Sequence, residues 1–329
     1  MSKLTTLLFA LLLCSLGIVV LNVSRSSIAQ RDSGPFVPPD ARARKAAIGS
    51  TDRLDRSLSR ALEPTDQFAA IPTPGPSDWL AQHHEPGQTY AQFVQRRPNR
   101  PDQKRNKLYF QPLGDFDPAN SPDLELLADF ARAFFTLDVQ ILPLIELDSL
   151  PIKVRPRQNQ PRQLLSTDVL TWLESRVAED AYALLAITMD DLYPEESWNF
   201  VFGQASLRNR VGVYSFVRYT PEFYGQQSDS NTSSLILERS CKVLSHETGH
   251  MFGIRHCVHF HCLMNGSNHL GESDAQPIHL CPVCLRKLQS SVNFDVQQRY
   301  QSLQEFSERA RWQGESAWLS GRLKHLSDR

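Results

Sequence analysis

The stretch from His246 to Gly266 reads HETGHMFGIRHCVHFHCLMNG and holds five of the chain's ten histidines and two of its six cysteines. A second cysteine pair follows in CPVC, at Cys281 and Cys284. Imidazole and thiolate are the side chains that zinc prefers. Any fold this chain adopts must bring these side chains together, so the segment constrains the architecture more than any other.

The residues before it, LILERSCKVLSHETGHMFG, have apolar positions at helical spacing and end in a glycine. With Ser240 to Phe252 on a helix, His246 and His250 lie one turn apart, about 40° around the axis and roughly 6 Å along it. Both imidazoles then reach one ion. Glu247, about 100° around from His246, reaches a water on that ion without being a ligand. On a continued helix His256 would lie about 15 Å further along the axis, too far to share the ion. Gly253 tolerates the left-handed conformation that ends helices, so the chain turns back there and returns His256 to the metal. A zinc with three protein ligands keeps a water and lowers its pKa toward neutrality. Glu247 is the group placed to take that proton and later give it to a leaving amine.

Cys257-x4-Cys262 and Cys281-x2-Cys284 have the spacing of a closed, all-thiolate structural zinc site. Disulfides would use the same four residues in an exported chain, and that alternative stays open at the level of sequence. Cys257 directly follows His256, so neighbouring residues would serve two ions, with alternating side-chain directions in extended backbone.

The remaining chain has the composition of a globular protein. At 329 residues, 41% hydrophobic and 22% charged, it can bury a full core, and the net charge of −1 gives no electrostatic reason for a nucleic-acid partner. Residues 1–29 contain Lys3, an apolar run over 4–21, and Ser27-Ile28-Ala29 as a cleavage signal. They read as a secretory signal peptide, with an uncleaved membrane anchor through residues 4–21 as the alternative. The expected location is accordingly exported (secreted or periplasmic) or membrane-anchored. Leu13 before Cys14 is not small, which argues against a lipoprotein. Residues 30–77 are rich in Pro, Ser and Arg and are expected to be a disordered linker with a short helix near 41–62. Residues 289–329 are expected to be a C-terminal helical extension.

Between these lies an alternation of apolar runs. KLYFQPLGDF (107–116), DVQILPLIEL (138–147), YALLAITMDDLYP (182–194), NFVFGQAS (199–206) and RVGVYSFVRY (210–219) have strand character. Helices are expected from Pro122 with its acidic first turn, and over STDVLTWLESRVAE with its cap signal. The pattern predicts a mixed α/β layer. RVGVYSFVRY has two readings, a core strand or an edge strand to which an extended substrate adds. Cys241 is expected to be a buried thiol. His259, His261, His269 and His279 are expected to be solvated or hydrogen-bonding loop residues, and His83 and His84 to lie at the surface.

The chain resembles the archaemetzincins, metzincin-type zinc peptidases with the signature H-E-x-x-H-x-x-G-x-x-H-C, a cysteine five residues on, x-Met, then a C-x-x-C pair. Here these positions are His246, Glu247, His250, Gly253, His256, Cys257, Cys262, Met264, Cys281 and Cys284. DWLAQHHEPGQTYAQFV, LYFQPLG and DLYPEESWNFVFGQAS extend a weaker similarity, so that it covers residues 78–288. The resemblance implies three histidine ligands to a catalytic zinc, Glu247 as general base, four cysteine ligands to a second, structural zinc, and Met264 as the Met-turn residue beneath the site. It also implies a metzincin-like mixed α/β domain with a twisted sheet, an active-site helix and a cleft over the zinc. The N-terminal apolar segment departs from the soluble forms of the family.

The expected function is therefore zinc-dependent hydrolysis of peptide bonds in a peptide or protein substrate, with two zinc ions. The rival is a non-catalytic zinc scaffold that kept its ligands. Glu247 argues against it, because ligation does not need the glutamate. A zinc hydrolase acting on a non-peptide amide is a third reading.

Overall fold

The computed structural model describes residues 34–158 and 160–328. The signal or anchor expected over residues 1–29 lies outside them. Among the described residues no helix is long and apolar enough to cross a membrane.

Three strands that are apolar on both faces make the centre. They are β1 (Lys107–Leu113), its neighbour in space β5 (Ala181–Thr188), and β8 (Val211–Ser215). Side chains alternate along a strand, so Leu185 and Ile187 of the second face one buried cluster while Leu184 and Ala186 face another. A strand buried on both sides reads as a continuous apolar run, as AYALLAIT does.

In chain order, α1 (Ala41–Ile48), α2 (Arg56–Ala61), α3 (Trp79–Gln82) and α4 (Tyr90–Gln95) precede β1. Then come α5 (Leu124–Phe135), β2 (Asp138–Ile141), β3 (Val154–Arg155), β4 (Gln163–Leu165) and α6 (Ser166–Glu174). β5, β6 (Asp191–Tyr193), β7 (Gly203–Ser206) and β8 lead into the long α7 (Thr232–Met251). The chain closes with α8 (Leu270–Ala275), α9 (Pro282–Val292), α10 (Val296–Arg309) and α11 (Gln313–Ser327). The main sheet has the order β2-β1-β5-β8-β7, parallel except for the antiparallel β7, and β3-β4-β6 form a smaller sheet. Apolar faces of α5 and α7 cover one side of the main sheet, and α6 covers the other with Val169, Leu170 and Leu173. This is the expected mixed α/β layer.

Two expectations need correction, and one choice between two readings is decided in favour of the core strand. Residues 34–77 do not form a linker. They carry α1 and α2, and Ala47, Ile48, Leu58, Ala61, Leu62, Phe68 and Ile71 are buried. Two buried guanidiniums hold them. Arg286 of α9 donates to the carbonyls of Ile48 and Ser50. Arg322 of α11 donates to the Ala61 carbonyl (3.0 Å) and to Gln67 Oε1 (3.0 Å). Residues 296–327 are helical but are core rather than an extension, since Phe306 and Trp312 pack edge-on against Phe130 of α5. RVGVYSFVRY is not an edge. β8 lies between β5 and β7, its backbone groups are paired on both sides, and the strand stops at Ser215 before a short 3-10 turn over Val217–Tyr219. The sheet edge next to it is β7.

Candidate active site

α7 supplies the first part of the site. Its last turn ends in a Schellman motif: Gly253 N–H donates to the His250 carbonyl (2.8 Å) and Ile254 N–H to the Gly249 carbonyl (3.3 Å), with Gly253 at φ +79°. The positive φ reverses the chain and returns His256. One nitrogen each from His246, His250 and His256 lies within 4.8 Å of the other two.

Hydrogen bonds behind the rings fix their protonation. His246 Nδ1 lies 2.9 Å from the Leu263 carbonyl oxygen and His250 Nδ1 2.6 Å from that of Ile254. A carbonyl oxygen only accepts, so both Nδ1 atoms carry the proton and both Nε2 lone pairs are free. These lone pairs face each other at 3.1 Å, a repulsive arrangement unless a cation stands between them. Tetrahedral zinc with nitrogen ligands needs a separation of about 3.3 Å. Burial and the adjacent imidazoles push His250 well below its ordinary pKa, and burial chiefly pushes His246 down to about 3, so both stay neutral as ligands must. The donor set fits a zinc ion with an open position.

Glu247, one residue round the helix, is 4% exposed and lines the same cleft. Its Oε2 is buried without a hydrogen-bond partner. Burial pushes the carboxyl up to about 7, the range in which a group takes and returns a proton at neutral pH. The cleft has an empty volume of about 590 Å3, part of it open solvent, with Trp79, Phe202, Tyr219, Lys242 and Gln276 among its walls. Tyr219 sits on the turn after β8, held by the buried pair of Asp191 and Arg218, whose two N–H···O bonds are both 2.7 Å.

Met264 is fully buried against the last turns of α7. A Cβ on Gly249 would stand 2.7 Å from its Sδ, so the glycine between the helical ligands leaves room for the thioether. The Met264 carbonyl accepts from Cys257 N–H at 2.7 Å.

Cys257, Cys262, Cys281 and Cys284 form the second cluster, all buried, with one sulfur each inside a 4.8 Å envelope. Cys257 Sγ and Cys281 Sγ are 3.6 Å apart. A disulfide requires about 2.05 Å, whereas two thiolates on one tetrahedral zinc stand about 3.8 Å apart. None of the four is disulfide-bonded, and the set fits a closed zinc site. Residues 254–258 are irregular rather than a strand, yet His256 and Cys257 still serve separate clusters.

Two contributors escape sequence reasoning. Glu85 Oε1 accepts from His256 Nδ1 at 2.8 Å and from Trp79 Nε1 at 2.9 Å. Burial raises the Glu85 carboxyl, but the bonds from His256 and Trp79 leave it below the ordinary value. Asn265 ties the loop between the clusters: Nδ2 donates to the carbonyls of Cys257 (2.7 Å) and Phe260 (2.9 Å), and Oδ1 accepts from Cys262 N–H. The motif Asn-Gly at 265–266 is the only local hint of a turn there.

The other histidines divide. His269 caps α8 through Nδ1 and bonds Asp78, and His279 bonds Glu315 and stacks on Trp318. His84 is exposed, and half-buried His83 stacks on Trp79. His259 is not solvated: it is 8% exposed and neither ring nitrogen has a partner. Cys241 is fully buried within α7.

A family model described as Peptidase family M54 matches residues 140–290. Archaemetzincin-2 of Macaca fascicularis is 38% identical over 291 residues, which cover 78% of this chain and 80% of that protein. Archaemetzincin-1 of Homo sapiens is 30% identical over 306 residues, covering 80% of this chain and 61% of that protein. The crystal structure of archaemetzincin from Methanopyrus kandleri is 27% identical, covers 59% of this chain and 99% of that one, and superposes with a TM-score of 0.42. With more than a third of its residues shared over four fifths of an archaemetzincin-2, the chain belongs to the archaemetzincin family of peptidases.

Proposed function

We propose that the chain is a zinc-dependent metallopeptidase in which His246, His250 and His256 hold the catalytic ion and Glu247 moves the proton. The observation that carries this reading is the pair of Nε2 lone pairs facing each other at 3.1 Å beside a buried, unpartnered carboxylate oxygen. Zinc, when bound, polarises the scissile carbonyl and makes a water acidic enough to lose its proton near neutral pH. Glu247 Oε2 accepts that proton and returns it to the leaving amine. The carbonyls of Leu263 and Ile254 hold two imidazoles in the ligating tautomer. Tyr219 and Phe202 shape the cleft, and β7 offers the unpaired edge that an extended peptide would join.

The four buried thiols support a second, structural zinc with no open position. Lys3, the run 4–21 and Ser27-Ile28-Ala29 support a chain that leaves the cytoplasm, by a cleaved signal or an uncleaved anchor. The substrate is a peptide or protein.

The test is a broad peptide library incubated with the purified chain and with its Glu247→Ala variant, with zinc counted in both. Cleavage by the wild type alone, at equal metal content, supports the peptidase. Equal inertness of both zinc-loaded proteins, with a protein partner still bound, would favour the scaffold.

A further inference from the structure

The three converging imidazoles are not backed alike. His246 and His250 turn Nδ1 to backbone carbonyls, which carry only partial charge. His256 turns Nδ1 to a carboxylate, Glu85, at 2.8 Å. The backbone support runs the other way. His246 and His250 sit on α7, while His256 lies beyond Gly253 on irregular chain. The ligand least fixed by its backbone has the strongest partner behind it.

Glu85 is itself held in place. Trp79 Nε1 donates to the same Oε1 at 2.9 Å, and the Trp79 ring stands edge-on to His256 with centroids 5.1 Å apart. Trp79 N–H donates to the Glu272 carboxylate at 3.0 Å, and its ring rests on Gly266, where a Cβ would come within 2.5 Å. Charge points the same way. Imidazole ligands bring no negative charge to a divalent cation, whereas the Glu85 carboxylate behind His256 brings one.

We propose that Glu85 is a positioning residue for the catalytic zinc. It fixes the tautomer and orientation of His256 and strengthens its Nε2 as a donor, so the affinity of the three-histidine site depends on a carboxylate 171 positions upstream. Partners of this kind typically change metal affinity by about tenfold to a hundredfold. The inference rests on the zinc-peptidase reading, and the experiment separates the two.

Zinc affinity is measured on the full chain by competition with a chelator, for wild type, Glu85→Gln and Trp79→Phe. His250→Ala serves as the blank that retains only the cysteine-bound ion. Glu85→Gln keeps the acceptor oxygen and loses the charge. It should weaken the histidine-bound zinc about tenfold to a hundredfold and leave the thermal midpoint of the metal-free protein unchanged. Trp79→Phe removes one bond to Oε1 but leaves its charge and its bond to His256, so it should weaken zinc less than Glu85→Gln does; an equal or larger loss would overturn the assignment to Glu85. Unchanged affinity in Glu85→Gln, or a fall in metal-free stability without one, overturns the proposal in favour of a fastening role for the 78–88 segment. Should Glu85→Gln fail to fold, Glu85→Asp withdraws the carboxylate by one methylene and must also weaken zinc; wild-type affinity there overturns the proposal. A wild type that binds no more zinc than the His250→Ala blank defeats the zinc-peptidase reading itself.

Discussion

Cys257 Sγ stands 3.6 Å from Cys281 Sγ, and Cys257 is joined by one peptide bond to His256. The cluster that closes the loop therefore also sets where the third imidazole arrives. Cys281→Ser should lose the thiolate-bound zinc and weaken the histidine-bound zinc as well, although residue 281 touches no histidine ligand. Metal counting beside peptide cleavage checks both effects; full activity in a chain with one ion would break the link.

Two zinc ions per chain are expected, and they should leave at different rates. The histidine set borders the cleft, whereas Cys262, Cys281 and Cys284 have no exposed surface. Graded chelation should first abolish cleavage, restorable with zinc, and only later unfold the loop. Simultaneous loss of both ions with global unfolding would contradict the distinction.

Glu247→Ala should retain both ions and lose about a hundredfold to ten-thousandfold in cleavage rate. His250→Ala should lose an ion as well as activity. A Glu247→Ala protein that cleaves at half the wild-type rate would remove the glutamate from the proton path.

Gly249→Ala should cost about 1–3 kcal/mol of stability through overpacking, because the new Cβ meets Met264 Sδ at 2.7 Å. In Gly249→Ala/Met264→Ala the combined loss should be smaller than the sum of the two single losses, because the shortened side chain removes the clash. Urea titration reads both, and additive losses would mean that the two residues do not press on each other.

Arg322→Ala should destabilise the fold by about 2–4 kcal/mol. The guanidinium is fully buried, lies over the Phe68 ring, and bonds four acceptors between residues 60 and 67. A change within 0.5 kcal/mol would show that α2 and α11 hold together without it.

The histidine and cysteine pattern was legible because its geometry is local. Two histidines share a helix turn, one glycine reverses the chain, and the cysteines within each pair are five and three positions apart. Glu85 was not legible: HHEPG has no period, and its partner lies in a different part of the chain. Residues 34–77 misled for a related reason. Their helices are eight and six residues long, too short to display a period, and what holds them is arginine, which composition counts as surface. The strands were visible as apolar runs, but whether β8 is central or at an edge depends on pairing partners, which a single strand does not encode.

The bonds from Arg322 to the Ala61 carbonyl and from Arg60 to the His325 carbonyl (2.6 Å) join the two ends of the described chain. During synthesis Leu58, Leu62 and Phe68 leave the ribosome long before α10 and α11 exist to cover them. The segment 246–284, which carries the histidine and cysteine clusters, is likewise complete before that final clasp closes. A nascent chain must carry the apolar side chains of residues 58–68 exposed until α11 is released, so truncations that remove α11 should leave a chain that is captured by chaperones.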